Sequence, residues 1–141
     1  MVLRLENINT KGFYSEQTVD GYIFIVNMEY LPELSVNRYK HFGTAFTKPA
    51  VKRWMKDLSG ALSVMGSQRG INWPDYKITI RIDGFFKDNR SMPDLHNLIK
   101  VIADSVEDCT LVNDKLYATE CGTPEIGDPR LIITVTVEKE D

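Results

Sequence analysis

The sequence reads YKITIRIDGFF over residues 76–86 and DLHNLIK over residues 94–100. The first stretch alternates apolar with polar residues, which predicts a β-strand with one buried face and one wet face. The second stretch begins a segment, residues 94 to about 107, in which apolar residues recur at helical spacing. The predicted apolar stripe of this helix consists of Leu95, Leu98, Ile99, Ile102 and Val106. A wet-faced strand that leads into an amphipathic helix is therefore the unit around which the fold is built.

The opposite face of this helix carries polar side chains. Asp94 follows Pro93, and its carboxylate is a good N-cap because it accepts hydrogen bonds from backbone N–H groups that have no partner within the helix. At about 100° per residue, the polar face contains His96, Asn97, Lys100 and Asp104. One face of the helix packs, and the other face is open to chemistry.

Outward from this unit, the sequence predicts three further strands and one further helix. Residues 22–28 are aromatic or β-branched and predict a strand, as do residues 115–120 and 130–137. A helix is predicted after the N-cap residue Thr47, with Pro49 in its first turn and an apolar stripe of Val51, Trp54, Met55, Leu58, Leu62 and Met65. This order of elements favours an α+β fold, in which two main helices cover one face of a mixed β-sheet.

Length and composition fit one globular domain. The chain has 141 residues, 43% of them hydrophobic, so we predict a single domain over residues 1–141, with residues 1–20 as an extended lead-in. The longest apolar runs are too short to span a membrane and the N-terminus has no signal-peptide pattern, so we predict a cytoplasmic protein. Cys109 and Cys121 fit neither a disulfide framework nor a zinc site, and we expect reduced, structural thiols.

Charge is unevenly distributed along the chain. The net charge is −3, yet residues 38–56 hold six of the 17 Lys and Arg residues and none of the 20 Asp and Glu residues. Such a basic strip on an acidic body is typical of phosphate binding, whereas the plainer interpretation is a solvated helix face. We expect its aromatic residues Phe46 and Trp54 to lie in the core. The basic residues of the strip are Arg38, Lys40, Lys48, Lys52, Arg53 and Lys56.

A further carboxylate stands in the turn after the Asp94 helix. On their own, Asn113 and Asp114 fit an ordinary turn, because their side chains bond the local backbone. The strand that follows must run back beside the helix or across its start, so we expect Asp114 to approach Asp94. Mg²⁺ binds to few carboxylates and keeps several waters and a phosphate oxygen. The two acids therefore predict a Mg²⁺ site.

These residues resemble the signature of the RusA-type Holliday-junction resolvases. That family has an Asp-x-Asp-Asn-Leu-x-Lys run at the start of a helix, an Asp four residues after the Lys, and an Asp-Asp pair in the following turn. The matching positions here are Asp94, His96, Asn97, Leu98, Lys100, Asp104, Asn113 and Asp114. Upstream, LPELSVNRY at residues 31–39 is similar to the family's Pro-Pro-Ser-x-Asn-x-Tyr loop, and residues 131–137 are similar to its closing strand. The resemblance covers roughly residues 22–138.

The resemblance implies a divalent-metal-dependent endonuclease that acts as a homodimer on branched DNA in recombination and repair. It assigns Asp94 and Asp114 to the metal, expected to be Mg²⁺, and Lys100 to catalysis. We expect Lys100 to neutralise charge on the scissile phosphate, against the plainer interpretation of a surface lysine. Asn97 and Asp104 would support these groups without binding the ion. Contacts to DNA are expected from Asn37, Arg38, Lys40, Lys48, Lys52, Arg53, Lys56, Lys87 and Arg90.

His96 and Asn113 depart from the family, which has acids at both positions, so Mg²⁺ affinity should fall. Imidazole binds Mn²⁺ better than Mg²⁺, so His96 as a ligand would shift the metal preference towards Mn²⁺. Alternatively, His96 acts as a general acid or base, or simply occupies a polar face. Three functions remain: an active endonuclease, a nucleic-acid-binding protein of the same fold that is catalytically weak or inactive, and a metal-independent structural protein.

Overall fold

The computed structural model of the protein describes residues 12–35 and 48–139. Two main helices and six strands make up the regular structure of this part of the chain. In chain order they are β1 (Phe13–Gln17), β2 (Gly21–Met28), α1 (Pro49–Arg69), β3 (Tyr76–Phe86), α2 (Ile99–Thr110), β4 (Ala118–Cys121), β5 (Glu125–Ile126) and β6 (Arg130–Lys139).

The strands form one mixed sheet in the spatial order β1-β2-β6-β3-β4, with β5 beside the end of β3. The pairs β1/β2, β2/β6 and β6/β3 are antiparallel, whereas β4 and β5 both run parallel to β3. A parallel neighbour requires a crossover connection, which α2 supplies between β3 and β4. Since α1 packs against both α2 and β2, the predicted α+β fold with two main helices on a mixed sheet is confirmed.

The α1 helix follows the predicted apolar stripe. Val51, Trp54, Leu58, Leu62 and Met65 are all buried, and Met55 is half-buried. Trp54 lies in the core as predicted, and its indole N–H donates a hydrogen bond to the backbone oxygen of Glu29 at 2.8 Å. The helix begins at Pro49, so Lys48 occupies the N-cap position. Thr47 and Phe46, for which a cap and a core position were predicted, lie outside the described residues.

The α2 segment begins with a tighter turn than predicted. A 3-10 turn, Leu95–Leu98, precedes the α-helix, and the helix ends at Thr110 rather than near residue 107. The tight winding arises because the Asn97 N–H donates to the backbone oxygen of Asp94 at 3.0 Å, a bond that spans three residues. The predicted faces are kept. Leu95, Leu98, Ile102 and Val106 are buried, while His96, Asn97 and Lys100 are exposed.

The edges of the sheet differ most from the prediction. The predicted strand over residues 115–120 is wrong at its start, because Asp114–Leu116 forms a 3-10 turn and β4 begins at Ala118. Turn chemistry explains this: the Asn113 side chain accepts the Lys115 N–H at 3.0 Å. The short strands β1 and β5 were not predicted, and β1 lies within the predicted lead-in. The assignment of residues 1–141 to one domain stays a prediction.

Candidate active site

Asp94 stands at the entrance to α2 and is held by its own cap. Its Oδ1 atom accepts a hydrogen bond from the His96 N–H at 3.0 Å, while the residue itself remains exposed. The following 3-10 turn and helix bury their apolar side in the core. The predicted N-cap role of Asp94 is therefore confirmed, and its carboxylate has a fixed place on the polar side of the helix.

The imidazole of His96 meets β4. Its Nδ1 atom lies 3.7 Å from the Sγ atom of Cys121, the last residue of that strand. Burial raises the pKa of the Cys121 thiol, and the negative charges of Asp94 and Asp83 raise it further, against the opposing charge of Arg81. In the parallel register Cys121 pairs with the buried Ile82, so the contact with His96 lies at the edge of the helix-covered face of the sheet.

An ion-pair network lies on the opposite, solvent-facing side of β3 and β4. Arg81 and Asp83 lie two residues apart on β3 and form a paired contact, with Nε–Oδ2 at 2.9 Å and Nη2–Oδ1 at 3.2 Å. Glu120, opposite Arg81 in the parallel register, lies 3.6 Å from the same guanidinium. Gly122 leaves the space that the Asp83 carboxylate fills, because a Cβ there would fall 2.0 Å from Asp83 Oδ1. The alternation of β3 puts Arg81 and Asp83 on its polar face, so this network lies on the other face of the sheet from the two helices.

One turn further along α2, Lys100 contacts two acids. Its Nζ atom lies 3.0 Å from Oδ1 of Asp104 on the same helix and 3.8 Å from Oδ2 of Asp114 in the turn beyond. The pairing of Lys100 with Asp104 follows from their spacing of one helical turn. Because Lys100 also follows His96 by four residues, its ammonium lies between the start of the helix and the turn that carries Asp114.

A compact acidic group surrounds Asp114. Asp104, Glu107 and Asp114 each offer a carboxylate oxygen, and these oxygens lie within 4.8 Å of one another. All three residues are partly exposed. Three carboxylate oxygens at this separation, open to water on one side, are the hard donor set that Mg²⁺ or Mn²⁺ accepts. Sequence reasoning missed Glu107, although its position three residues after Asp104 places it on the same helix face.

The predicted ligands are divided between two ends of this polar face. Asp94 and His96 lie beside Cys121, whereas Asp114 lies with Asp104 and Glu107, and Lys100 stands between the two ends. Within residues 12–35 and 48–139, the group whose carboxylate oxygens lie close enough together to hold a metal ion is Asp104, Glu107 and Asp114. Asn97 is exposed at the first end.

The turn that carries Asp114 is cross-linked by hydrogen bonds. Leu111 adopts a left-handed conformation, with φ of 60°, and its N–H bonds to the Glu107 oxygen at 2.8 Å to close α2. The Tyr117 hydroxyl lies 2.7 Å from Thr110 Oγ1 and donates to the Val112 oxygen at 2.8 Å. Burial raises the pKa of Tyr117 to about 12, with Glu107 and Asp114 acting in the same direction and the Thr110 hydrogen bond opposing them.

The predicted DNA contacts are described only in part. Lys52, Arg53 and Lys56 are exposed on α1, and Lys48 precedes that helix. Lys87 and Arg90 are exposed in the loop before Asp94 and flank a cleft that Tyr30 also lines. The remaining three, Asn37, Arg38 and Lys40, lie outside the described residues.

Comparisons with known proteins agree with the signature in sequence. A family model described as Endodeoxyribonuclease RusA matches residues 32–136. No curated protein matches the chain. Within the described residues, no helix is both long enough and apolar enough to cross a membrane.

Several solved structures share a broad likeness of shape. An outer membrane protein from Borrelia burgdorferi B31 is 10% identical, with a TM-score of 0.49 over 91% of this chain and 99% of that one. The periplasmic domain of Helicobacter pylori MotB is 12% identical, with a TM-score of 0.44 over 91% of this chain and 89% of that one. Likenesses of this degree carry no inference about function.

Proposed function

The chain belongs to the RusA family of endodeoxyribonucleases, and from this premise we propose that it is a divalent-metal-dependent endonuclease that hydrolyses phosphodiesters in branched DNA such as Holliday junctions. The observation that best supports the proposal is the acidic group Asp104, Glu107 and Asp114 with the Lys100 ammonium against it. It combines candidate cation ligands with a positive charge on a solvent-exposed helix face.

We propose Asp114 as a metal ligand. The family signature implies Asp94 as a second ligand and has an acid where His96 stands, although both residues lie at the other end of the polar face. Carboxylate oxygens supply the charge that a hard divalent ion requires. When bound, the ion supplies a polarised phosphoryl oxygen and a water of lowered pKa. Asp104 and Glu107 add negative charge around Asp114, which offsets the two acids that His96 and Asn113 replace.

The proposed role of Lys100 follows from its two contacts. Its ammonium is held at the site by Asp104 and Asp114, so it is already placed where a phosphate would approach the acids. A lysine on a four-carbon stem reaches a phosphate oxygen by a change of rotamer. There it would neutralise the negative charge that grows as the phosphodiester bond breaks.

His96 is proposed either to bind the metal or to transfer a proton. Its imidazole is exposed, which suits both roles, and its Nδ1 atom faces the Cys121 thiol at 3.7 Å. The Nε2 atom is therefore the one to assign to a metal or a leaving group. As a nitrogen donor, it favours Mn²⁺ over Mg²⁺ as the cofactor.

DNA binding is proposed for the basic residues of α1 and of the loop before Asp94. Lys52, Arg53 and Lys56 carry no acidic neighbour except Asp57 within their stretch of helix, and all three are exposed. Such a surface supplies backbone contacts without sequence preference. We also propose a homodimer, which would present two such sites to a four-way junction, acting in the cytoplasm.

A second candidate is a DNA-binding protein of this fold with weak or no turnover. The replacement of two family acids by His96 and Asn113 favours it, because it leaves fewer anionic ligands. This candidate predicts salt-sensitive binding to junctions without cleavage under any divalent ion.

The test is incubation of the purified protein with a synthetic four-way junction in Mn²⁺ or Mg²⁺. We expect paired nicks, and we expect Asp94→Asn to abolish nicking while junction binding is kept. The control is Asp75→Asn, an exposed acid in the turn before β3. Nicking unchanged by Asp94→Asn would refute the assigned site, and binding without any nicking would favour the second candidate.

A further inference from the structure

The turn between α2 and β4 is tied at both ends by a ring of hydrogen bonds. The Tyr117 hydroxyl donates to the Val112 backbone oxygen at 2.8 Å and lies 2.7 Å from Thr110 Oγ1. The Val112 N–H donates to the same Thr110 Oγ1 at 3.1 Å. Thr110, Val112 and Tyr117 are therefore joined across the turn that contains Asp114.

The proton positions in this ring follow from donor counting. A tyrosine hydroxyl has one proton, and the Tyr117 proton is directed at the Val112 carbonyl. The contact between the two hydroxyls therefore requires Thr110 to donate to Tyr117. Each hydroxyl both donates and accepts, so neighbouring bonds in the ring strengthen one another. Thr110 is 3% exposed, which keeps competing water away from its hydroxyl.

The backbone within the turn passes this constraint on to Asp114. The Tyr117 N–H donates to the Asp114 backbone oxygen at 3.1 Å, and the Leu116 N–H donates to the Asn113 oxygen at 3.0 Å. Tyr117 thus holds the turn in two ways. Its hydroxyl bonds to Thr110 and Val112, which precede Asp114, and its N–H bonds to Asp114 itself. The Asp114 carboxylate projects from this fixed turn towards Lys100 and the other acids.

We propose that Tyr117 and Thr110 are positioning residues that hold the Asp114 carboxylate in the orientation that binds the divalent ion. The inference rests on the proposed function, because it gives Asp114 the metal. It adds residues outside the family signature, whose proposed effect is exerted through Asp114. Such supporting groups act by fixing the direction of a ligand.

The test compares three full-length variants with the wild-type protein. Tyr117→Phe keeps the aromatic side chain but removes both hydrogen bonds of its hydroxyl. Thr110→Val removes the other hydroxyl at similar side-chain volume. Tyr14→Phe is the matched control, because Tyr14 is exposed on β1 at the opposite edge of the sheet. Mn²⁺ affinity is measured from water-proton relaxation, the turn is monitored by amide hydrogen exchange, and unfolding is measured in parallel.

We expect Tyr117→Phe and Thr110→Val each to weaken Mn²⁺ binding about tenfold, as loss of a supporting hydrogen bond to a ligand commonly does. The double variant should bind no more weakly than either single variant, because one broken bond already opens the ring. The amides of Val112, Leu116 and Tyr117 should exchange faster, whereas Tyr14→Phe should change neither quantity.

The outcomes separate this inference from the proposed function. If the turn loosens or the protein becomes less stable while Mn²⁺ affinity is unchanged, the hydroxyl ring is only structural and the inference is overturned. If amide hydrogen exchange in the turn is also unchanged, the claim that the hydrogen-bond ring constrains the turn is refuted. If Asp114→Asn binds Mn²⁺ as tightly as the wild type, the metal role of Asp114 fails, and the positioning role fails with it.

Discussion

The ammonium of Lys100 lies 3.8 Å from the carboxylate of Asp114, across the connection between α2 and β4. The same ammonium lies 3.0 Å from Asp104. The ammonium thus lies beside the carboxylates that would bind a divalent ion, where the ammonium and the ion would compete for the same oxygens. Lys100 is therefore expected to oppose metal binding in the resting protein and to assist cleavage as negative charge develops on the phosphate.

Lys100→Met should separate these two effects. We expect Mn²⁺ to bind about three to five times more tightly, because the ammonium no longer competes with the ion for these carboxylates through an exposed ion pair that contributes up to about 1 kcal/mol. Junction cleavage should nevertheless fall about 100-fold, since the charge on the phosphate is no longer neutralised. Calorimetric titration with Mn²⁺ and single-turnover cleavage measure the two quantities.

Lys77→Met is the matched control, because Lys77 is exposed at the start of β3. It should leave both quantities unchanged. Weaker Mn²⁺ binding by Lys100→Met, or unchanged cleavage, would contradict the role given to Lys100.

His96→Asp should restore the acid that the family has at this position. We expect the ratio of cleavage in Mg²⁺ to cleavage in Mn²⁺ to rise, because an oxygen donor replaces a nitrogen donor that favours Mn²⁺. Initial rates across a titration of each ion measure the ratio. A Mg²⁺ to Mn²⁺ ratio that does not move would place His96 outside the metal coordination and favour its acid–base role.

The basic residues of α1 should set the salt dependence of DNA binding. Replacing Lys52, Arg53 and Lys56 by Gln should make the negative slope of log affinity against log salt shallower by about 0.9 for each DNA phosphate that the variant no longer neutralises. Fluorescence anisotropy with a labelled junction measures the slope. Lys77→Gln and Lys139→Gln, which remove exposed charges on the sheet, should not change this slope. Equal effects from the α1 variant and from these controls would mean that α1 is not the DNA surface.

Two glycines of α1 should respond in opposite directions to alanine. A Cβ at Gly66 would lie 2.6 Å from the buried Trp73 indole, whereas a Cβ at Gly60 meets nothing within 4 Å. We expect Gly66→Ala to lower the free energy of unfolding by about 1–3 kcal/mol through overpacking. Gly60→Ala should raise it by about 0.5–1 kcal/mol, because alanine is the better helix former. Chemical denaturation measures both, and a stabilising Gly66→Ala would contradict the packing of Trp73 on α1.

The elements with strong periodicity were predictable from sequence. The alternation of β3 and the stripes of α1 and α2 were identified because burial imposes one period along each element. The two-residue strand β5 and the largely exposed strand β1 carry no such period, and they form because β3 and β2 offer free edges. The 3-10 turn at Asp114 replaced the start of a predicted strand because the Asn113 side chain competes for the local backbone.

The candidate site was predictable from sequence only where it depends on local spacing along the chain. The cap at Asp94 and the pair Lys100–Asp104 depend on helical spacing alone, so the sequence contains them. The contact of His96 with Cys121 depends on the register of β4 against β3, which no local pattern specifies. The ring of Thr110 and Tyr117 likewise forms only when the turn has closed.

Metal-dependent cleavage of a four-way junction, followed with wild-type protein and with Asp114→Asn, tests the central claim most directly. We predict paired nicks by the wild type in Mn²⁺ or Mg²⁺, no cleavage in chelator, and loss of cleavage in Asp114→Asn with junction binding retained. Cleavage that persists in chelator, or that Asp114→Asn leaves intact, would contradict the account.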